Sequence, residues 1–209
     1  MPRITAIKPQ KNQKRLNVYL DQEFGFGIDL ENFTKLGLRV EQDLSDSQVE
    51  EIVKKAEFQK TLDKLLNFAT LRPRSNKEIK DWLKRKKIHQ SLNIELFNRL
   101  NRLDLVNDRA FALWWINQRQ EFKPRGKKIL SYELKLKGID KEIIDEVLED
   151  TPIDEKKIAW ELLEKKSYRW KSLDKKIAKQ KMYQFLARKG FDWTIIEKVV
   201  EKMIKLPSE

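Results

Sequence analysis

The sequence contains no cysteine and only one histidine, His89, among its 209 residues. The lack of cysteine excludes disulfide bonds and thiolate metal sites. A lone histidine leaves no histidine cluster for a metal and no recognisable catalytic triad. The pair Gly126-Lys127 lacks the earlier glycine and the following Ser or Thr of a phosphate-binding P-loop. We therefore expect a protein that is not an enzyme and that carries no cofactor and no metal.

Glycine and proline are scarce, with 6 of each, which argues against an all-β chain rich in turns and against long disordered linkers. Lys, Glu, Leu and Ile, which suit helices, are abundant. No apolar run reaches the length of about 18 residues expected of a membrane span, and MPRITAIKPQKNQKR lacks the apolar segment of a signal peptide. We expect a mainly helical, cytoplasmic monomer that does not bind a membrane.

The sequence RLNVYLDQEFGFGI, residues 15–28, alternates apolar side chains as β-strands do. A turn at residues 21–23 separates two apolar faces, Leu16, Val18 and Leu20 in the first strand and Phe24, Phe26 and Ile28 in the second. Together with residues 4–7, these two strands predict a three-stranded antiparallel sheet. SDSQVEEIVKKA then predicts a helix. We interpret residues 1–58 as a small β-containing domain with a connecting helix.

The remaining sequence repeats. LRPRSNKEIKDWLKRKKI aligns with FKPRGKKILSYELKLKGI at an offset of 51 residues (124 − 73), and a further offset of 52 (182 − 130) reaches a third copy. Each copy follows another apolar helical segment, so the pattern predicts three tandem three-helix repeats in an elongated array, residues 59–106, 107–153 and 154–209. The apolar stripes assigned to the core are Ile79 and Leu83, Leu130 and Leu134, and Met182 and Leu186.

Helix boundaries are marked in the repeats. Ser75 and Glu78 have the spacing of a capping box. Gly138 and Gly190 stand where a helix ends in a left-handed residue, and an apolar residue and an aspartate follow each of them. The residues predicted to cap the next helices are Asp140 and Asp192. The chain should turn sharply between two helices at both places.

These motifs resemble the RecX family of bacterial recombination regulators. The matching residues are Leu71-Arg72-Pro73-Arg74-Ser75 with Glu78 and Leu83, Leu105-Val106-Asn107-Asp108 with Phe111-Ala112, Pro124-Arg125-Gly126, and Glu133-Leu134 with Lys137-Gly138-Ile139. The first repeat departs from the family pattern in having Lys87 in place of the turn glycine. The resemblance implies a non-enzymatic protein that binds the RecA filament on single-stranded DNA. It also implies that the protein modulates, mainly by inhibition, the filament's ATPase, growth and strand exchange in DNA repair and the SOS response.

Basic residues cluster on the second helices of the repeats, and the formal net charge is +12, which favours association with polyanions or acidic protein surfaces. We assign the contact with the RecA filament or with DNA to Arg72, Arg74, Lys77, Lys84, Arg85, Arg119, Arg125, Lys127, Lys128, Lys135, Lys137 and Arg188. Residues 140–155 are acidic, which favours an oriented protein partner over uniform coating of DNA, although a weak direct contact with DNA is also expected. The alternative is a stand-alone DNA-binding protein that uses these helices as helix-turn-helix proteins do.

The 6 tryptophans are of a type that stacks on nucleic-acid bases. Most lie in apolar helical patterns, which assigns them to the core or to contacts between repeats. Trp170 lies within the basic segment KKSYRWKSLDKK and is the exception, a candidate for base stacking.

Overall fold

The computed structural model describes residues 1–11 and 13–205. The strands are β1 (Ile4–Pro9), β2 (Arg15–Leu20) and β3 (Glu23–Asp29). The helices are α1 (Leu30–Leu36), α2 (Asp46–Thr70), α3 (Asn76–Arg85), α4 (Gln90–Arg102), α5 (Asp108–Phe122), α6 (Lys127–Leu136), α7 (Lys141–Asp150), α8 (Glu155–Glu164), α9 (Lys175–Arg188) and α10 (Trp193–Lys205), with a 3-10 turn at Ser167–Arg169. The fold is thus mainly helical with a small N-terminal sheet, as the sequence predicts.

The chain forms two compact units. The first comprises Met1–Arg72 and Ile88–Leu103, and therefore holds the sheet, α1, α2 and α4. The second comprises Pro73–Lys87 and the chain from Asp104 on, and therefore holds α3 and α5 to α10. The predicted repeat boundaries remain predictions. Within the described residues, no helix combines the length and the apolar character needed to cross a membrane.

The first unit is built on an antiparallel sheet in the order β1-β2-β3. Asp21 and Gln22, with φ angles of 49° and 72°, join β2 to β3 in the two-residue turn whose twist matches that of the strands. One face of the sheet packs on α2 and shares a buried cluster with it, which includes Ile4, Val18, Ile28, Ile52 and Ala56. The three-stranded sheet predicted from the alternation is confirmed.

Phe24 departs from the predicted face of β3. Val18 pairs with Phe26, but the next residue, Tyr19, pairs with Phe24, so β3 contains one additional residue, Gly25, at this point. A β-bulge of this kind moves the residues beyond it to the other face of the sheet. Phe24 is therefore 61% exposed, and its ring packs edge-on against Tyr19. The prediction that Phe24 shares a face with Phe26 is wrong.

A single helix, α2, extends through the predicted boundary at residues 58–59. It begins in a capping box, in which the Ser45 hydroxyl accepts from the Gln48 N–H and the Gln48 side chain accepts from the Ser45 N–H. No glycine or proline interrupts it, and buried residues continue along its whole length. Within the first unit, α4 packs against α2.

The second unit contains two three-helix cores. Helices α5 to α7 bury Phe111, Ile116, Leu130, Leu134 and Ile144 among others, and α8 to α10 bury Leu163, Met182, Leu186, Phe191 and Val200 among others. Each helix contributes one apolar stripe, as expected of short helices that share a core. The predicted core residues are confirmed, because Ile79, Leu83, Leu130, Leu134, Met182 and Leu186 are all buried.

The turns that follow α6 and α9, the second helices of the two cores, have the predicted geometry. Gly138 and Gly190 have φ angles of 78° and 82°. The N–H groups of Ile139 and Phe191 reach back to the carbonyls of Leu134 (3.1 Å) and Leu186 (3.4 Å), which is the bonding of a Schellman motif. Lys87, which replaces the glycine in the first repeat, also has a positive φ of 53°. The first repeat therefore makes its turn without the glycine.

The predicted helix caps are confirmed in part. The Ser75 hydroxyl accepts from the Glu78 N–H (3.1 Å), and the Asp192 carboxylate accepts from the Thr194 N–H (3.0 Å). Asp140 precedes α7, but its side chain makes no capping hydrogen bond. Asp140 therefore occupies the predicted cap position of α7 without a hydrogen bond from its side chain.

Candidate partner-binding surface

The start of α3 packs against the turn that ends α6, and we call this contact the first junction. The Ser75 hydroxyl donates a hydrogen bond to the Lys137 carbonyl (2.8 Å). The Asn76 N–H donates to the Asp108 carboxylate (2.8 Å), which satisfies one of the free N–H groups at a helix start. Because Asp108 is the first residue of α5, α3 is held by two elements of the following three-helix core.

The start of α6 packs in the same way against the turn that ends α9, and we call this contact the second junction. The Gly126 N–H donates to the Lys189 carbonyl (2.9 Å). The Lys127 N–H donates to the Glu155 carboxylate (2.9 Å), and Glu155 is the first residue of α8. A helix start that has no side-chain cap of its own is therefore capped from the next core.

The two junctions use equivalent residues. Gly126 takes the place of Ser75, and Lys189 takes the place of Lys137, at the offsets of the sequence repeat. Asp108 and Glu155 both provide a carboxylate from the first position of the next core's first helix. One docking mode is thus used twice in the second unit, and it fixes the orientation of α3, α6 and α9 to one another.

The exposed members of the predicted contact set are Lys77, Lys84, Arg85, Lys128, Lys135 and Arg188. Lys77 and Lys128 are tied to the junctions, since Lys77 Nζ donates to the Leu136 carbonyl (3.0 Å) and Lys128 Nζ lies 2.9 Å from the Asp192 carboxylate. The bond from Lys128, together with those from Thr194, lowers the pKa of Asp192 to about 2. The other four cations extend from α3, α6 and α9 into solvent.

Other predicted contact residues are engaged inside the second unit. The Arg74 side chain is only 11% exposed and lies 3.8 Å from the Glu78 carboxylate. Lys137 Nζ lies 2.8 Å from the same carboxylate, and Lys127 Nζ donates to the Leu148 carbonyl (2.8 Å). The role of these three cations in partner binding stays a prediction. The observed contacts of Lys137 and Lys127 join neighbouring helices, whereas that of Arg74 lies at the start of α3.

A cluster around Trp115 engages a further predicted contact residue, Arg119. The Arg119 guanidinium lies 4.4 Å from the Trp115 ring centroid, and its Nε donates to the Glu133 carboxylate (2.7 Å). Trp115 Nε1 donates to the same carboxylate (2.9 Å). Only the spacing of four between Trp115 and Arg119 hinted at this cluster in the sequence. Arg72 and Arg125, the remaining predicted residues, are half-buried.

The acidic residues of the segment 140–155 divide into those that only face solvent and those that also bond to other residues of the second unit. On α7, Glu142, Asp145 and Glu149 are exposed, and Arg109 of α5 donates to Glu146 and Asp150 (3.0 Å each). Asp154 instead caps α8. No group of acidic or histidine side chains in residues 1–11 and 13–205 is arranged to hold a metal ion.

The proposed stacking role of Trp170 is wrong. Trp170 is 8% exposed and packs against Phe185 with ring centroids 5.8 Å apart, so it belongs to the third core. Trp193 is instead 58% exposed and packs against Tyr183 with ring centroids 5.0 Å apart and ring planes tilted by 31°. It lines a shallow groove at the second junction together with Ile129, Tyr132 and Gly190. The basic residues on both sides of Trp170 suggest an exposed segment that binds nucleic acid, but the ring itself is buried.

Family models match three parts of the chain. Residues 2–45 match the N-terminal domain of regulatory protein RecX. Residues 107–148 match the second three-helix domain of RecX, and residues 154–200 match the third. The first of these ranges holds the sheet and α1, and the other two hold the cores built from α5 to α7 and from α8 to α10.

Known proteins resemble most or nearly all of the chain. Regulatory protein RecX of Bacillus licheniformis is 34% identical over 97% of this chain and 78% of its own, and that of Bacillus subtilis is 33% identical over the same shares. The crystal structure of a regulatory protein RecX superposes with a TM-score of 0.70 at 24% identity and covers 96% of this chain and all of its own. That of RecX from Lactobacillus salivarius has a TM-score of 0.63 at 27% identity, over 71% of this chain and 97% of its own. The chain belongs to the RecX family of regulatory proteins.

Proposed function

We propose that the protein binds the RecA recombinase filament on single-stranded DNA and restrains its ATPase, its growth and its strand exchange. Membership of a family of regulatory proteins supports a regulatory role, and the family resemblance implies RecA as the partner. The protein acts by binding, without catalysis.

The repeated docking of the basic helices is the observation that carries this proposal. Helices α3 and α6 enter their junctions through equivalent residues, Ser75 and Gly126, and contact equivalent carbonyls on the following helix turn. A helical filament presents the same surface at regular intervals, because each subunit is related to the next by one operation. A protein whose basic helices also recur at a fixed orientation is suited to contact successive protomers together.

Restraint of RecA then follows from binding across protomers. A ligand shifts a conformational equilibrium by the difference in its affinity for the two states. If this protein fits one spacing of the protomers best, it slows the ATP-driven rearrangements that change that spacing. The same contacts at a filament end oppose the addition of further subunits.

The distribution of charge supports an oriented protein partner. Lys84, Lys135 and Arg188 are exposed near the C-terminal ends of α3, α6 and α9, whereas α7 exposes carboxylates. Complementary charges orient two proteins before they dock. A uniformly negative DNA strand would be attracted by the first surface and repelled by the second.

The competing function is stand-alone binding of DNA through the basic helices, which the net charge of +12 favours. The dependence of binding affinity on salt concentration distinguishes the two functions. Binding dominated by phosphates weakens steeply, because log affinity falls linearly with log salt concentration. Recognition of a protein surface that buries apolar area is less sensitive to salt.

Reversing the exposed cations tests the contact surface. The triple variant Lys84→Glu, Lys135→Glu, Arg188→Glu should bind preformed RecA filaments about tenfold more weakly or worse, because like charges then face the acidic partner. Its fold should be unchanged, since all three side chains are exposed. Affinity is measured by anisotropy of the fluorescently labelled protein titrated with filament.

A control variant changes the net charge by the same amount elsewhere. Lys54→Glu, Lys60→Glu, Lys64→Glu alters three exposed lysines of α2 and should keep the affinity within about twofold, as expected for charges outside the contact. Equal losses in the two triple variants would show that only total charge matters, and the proposed surface would then be incorrect.

A further inference from the structure

Besides Lys77 and Lys128, the two junctions carry a cation at three further equivalent positions, but the carboxylates that pair with these cations differ. At the first junction the cations are Arg74, Arg119 and Lys137, and two carboxylates neutralise them. Glu78 pairs with Arg74 (3.8 Å) and Lys137 (2.8 Å). Glu133 pairs with Arg119 (2.7 Å). The first junction is therefore nearly balanced in charge.

The second junction keeps each cation. Arg125 takes the place of Arg74 and Lys189 takes the place of Lys137, at the offsets of the repeat. Lys166 takes the place of Arg119, because each follows the first residue of its core by 11 positions (166 − 155, 119 − 108). Both carboxylates are replaced by apolar residues, since Ile129 stands where the first junction has Glu78, and Phe185 stands where it has Glu133.

Two of the three cations of the second junction lie over the same aromatic ring, and the third precedes the residue that is hydrogen-bonded to Lys189. Lys166 Nζ lies 4.6 Å and Lys189 Nζ 5.7 Å from the centroid of the Phe185 ring. Arg125 immediately precedes Gly126, whose N–H bonds the Lys189 carbonyl (2.9 Å). Burial, followed by the charges of Arg125 and Lys166, lowers the pKa of Lys189. No carboxylate in the described part of the chain pairs with any of these three cations.

Three neighbouring cations without a counter-ion repel one another, and an anion bound between them removes that cost. A phosphodiester suits this set, because the planar fork of an arginine and the point charges of lysines are the usual donors to its oxygens. The groove at the same junction exposes Trp193 and Tyr132 beside Ile129, and exposed aromatic rings accept stacked bases. Both features favour a single-stranded nucleic acid over an acidic protein side chain.

We propose that Arg125, Lys166 and Lys189 form a binding site for a backbone phosphate of single-stranded nucleic acid, at the point where the first junction uses Glu78 and Glu133 as internal counter-ions. The site goes beyond recognition of the RecA surface, because it contacts the nucleic acid itself. It also assigns different tasks to the two junctions, since the first is neutralised within the protein and the second by its ligand.

Restoring the missing carboxylate tests the site. Ile129→Glu places an acid where the first junction has Glu78, and Ile129→Gln gives the same shape without the charge. Binding of a fluorescein-labelled oligothymidylate is measured by anisotropy across a series of salt concentrations, in the absence of RecA. The glutamate variant should bind about tenfold more weakly than the glutamine variant. Its slope of log affinity against log salt should be smaller by about 0.7, the loss of one phosphate contact.

A second control separates local from general charge effects. Leu136→Glu adds the same charge to an exposed position of the same helix, α6, and should weaken binding by no more than about threefold, as a rim charge does. Equal affinities for the Ile129→Glu and Ile129→Gln variants would overturn the proposal. So would a glutamate variant that keeps its oligothymidylate affinity but loses RecA-filament binding, since the cations would then hold carboxylates of the partner protein.

Discussion

Leu134→Ala should lower the free energy of unfolding by about 2–5 kcal/mol, the range observed when a buried leucine is truncated and a cavity remains. Leu134 is 0% exposed and lies in the core shared by α5, α6 and α7. It also accepts the Ile139 N–H bond of the turn that forms the first junction. The loss is measured by urea denaturation followed by far-UV circular dichroism.

A neighbouring leucine provides the matched control. Leu136 lies two residues further along the same helix and is 55% exposed, so Leu136→Ala should change the free energy of unfolding by less than about 0.5 kcal/mol. A loss below about 1 kcal/mol for Leu134→Ala would contradict the assignment of the repeat's apolar stripe to the core.

Gly126→Ala should open the second junction and reduce restraint of RecA. A Cβ at Gly126 would lie 2.2 Å from the Gly190 carbonyl oxygen, and that oxygen belongs to the backbone and cannot turn away. The φ of Gly126 is −74°, which every residue tolerates, so the effect arises from space alone. We expect a loss of about 1–3 kcal/mol in stability, as for other overpacked contacts. Affinity for RecA filaments should fall because α6 and α9 lose their fixed orientation.

Gly37→Ala separates backbone strain from crowding. Gly37 has a φ of 59°, and nothing lies within 4 Å of a Cβ added there. This variant should cost about 1 kcal/mol through strain alone, and filament affinity should be unchanged. If Gly126→Ala kept full filament affinity despite its lower stability, the fixed orientation of the basic helices would not be the basis of recognition.

The repeat explains why much of the fold could be predicted from the sequence. Apolar residues that recur at offsets of 51 and 52 residues, such as Leu83, Leu134 and Leu186, are expected to pack in the core of each repeat. All three are buried. Gly138 and Gly190 were predictable because a helix end with a left-handed residue favours glycine. These features depend on residues close together in the chain.

The two predictions that are wrong, for Phe24 and Trp170, depend on packing that the local apolar pattern does not contain. Phe24 is exposed because one extra residue, Gly25, enters β3, and glycines at both 25 and 27 do not show which position holds a bulge. Trp170 is buried because Phe185, on the following helix, packs against it. The ionic cluster that Glu78 forms with Arg74 and Lys137 was equally hidden, because Lys137 lies 63 residues after Arg74 (137 − 74), and the role of Arg74 in partner binding stays a prediction. The junctions join residues about 60 positions apart (137 − 75, 189 − 126), which periodicity alone cannot pair.

The most direct test of the proposed function is the single-strand-dependent ATPase of preformed RecA filaments, titrated with this protein at low and moderate salt. A parallel titration of the DNA alone controls for direct binding. We expect inhibition at well below one molecule per RecA protomer that persists as salt is raised, because each molecule bridges protomers or occupies a filament end. An unchanged ATPase together with tight, steeply salt-dependent binding to the DNA alone would contradict the account and indicate a stand-alone DNA-binding protein.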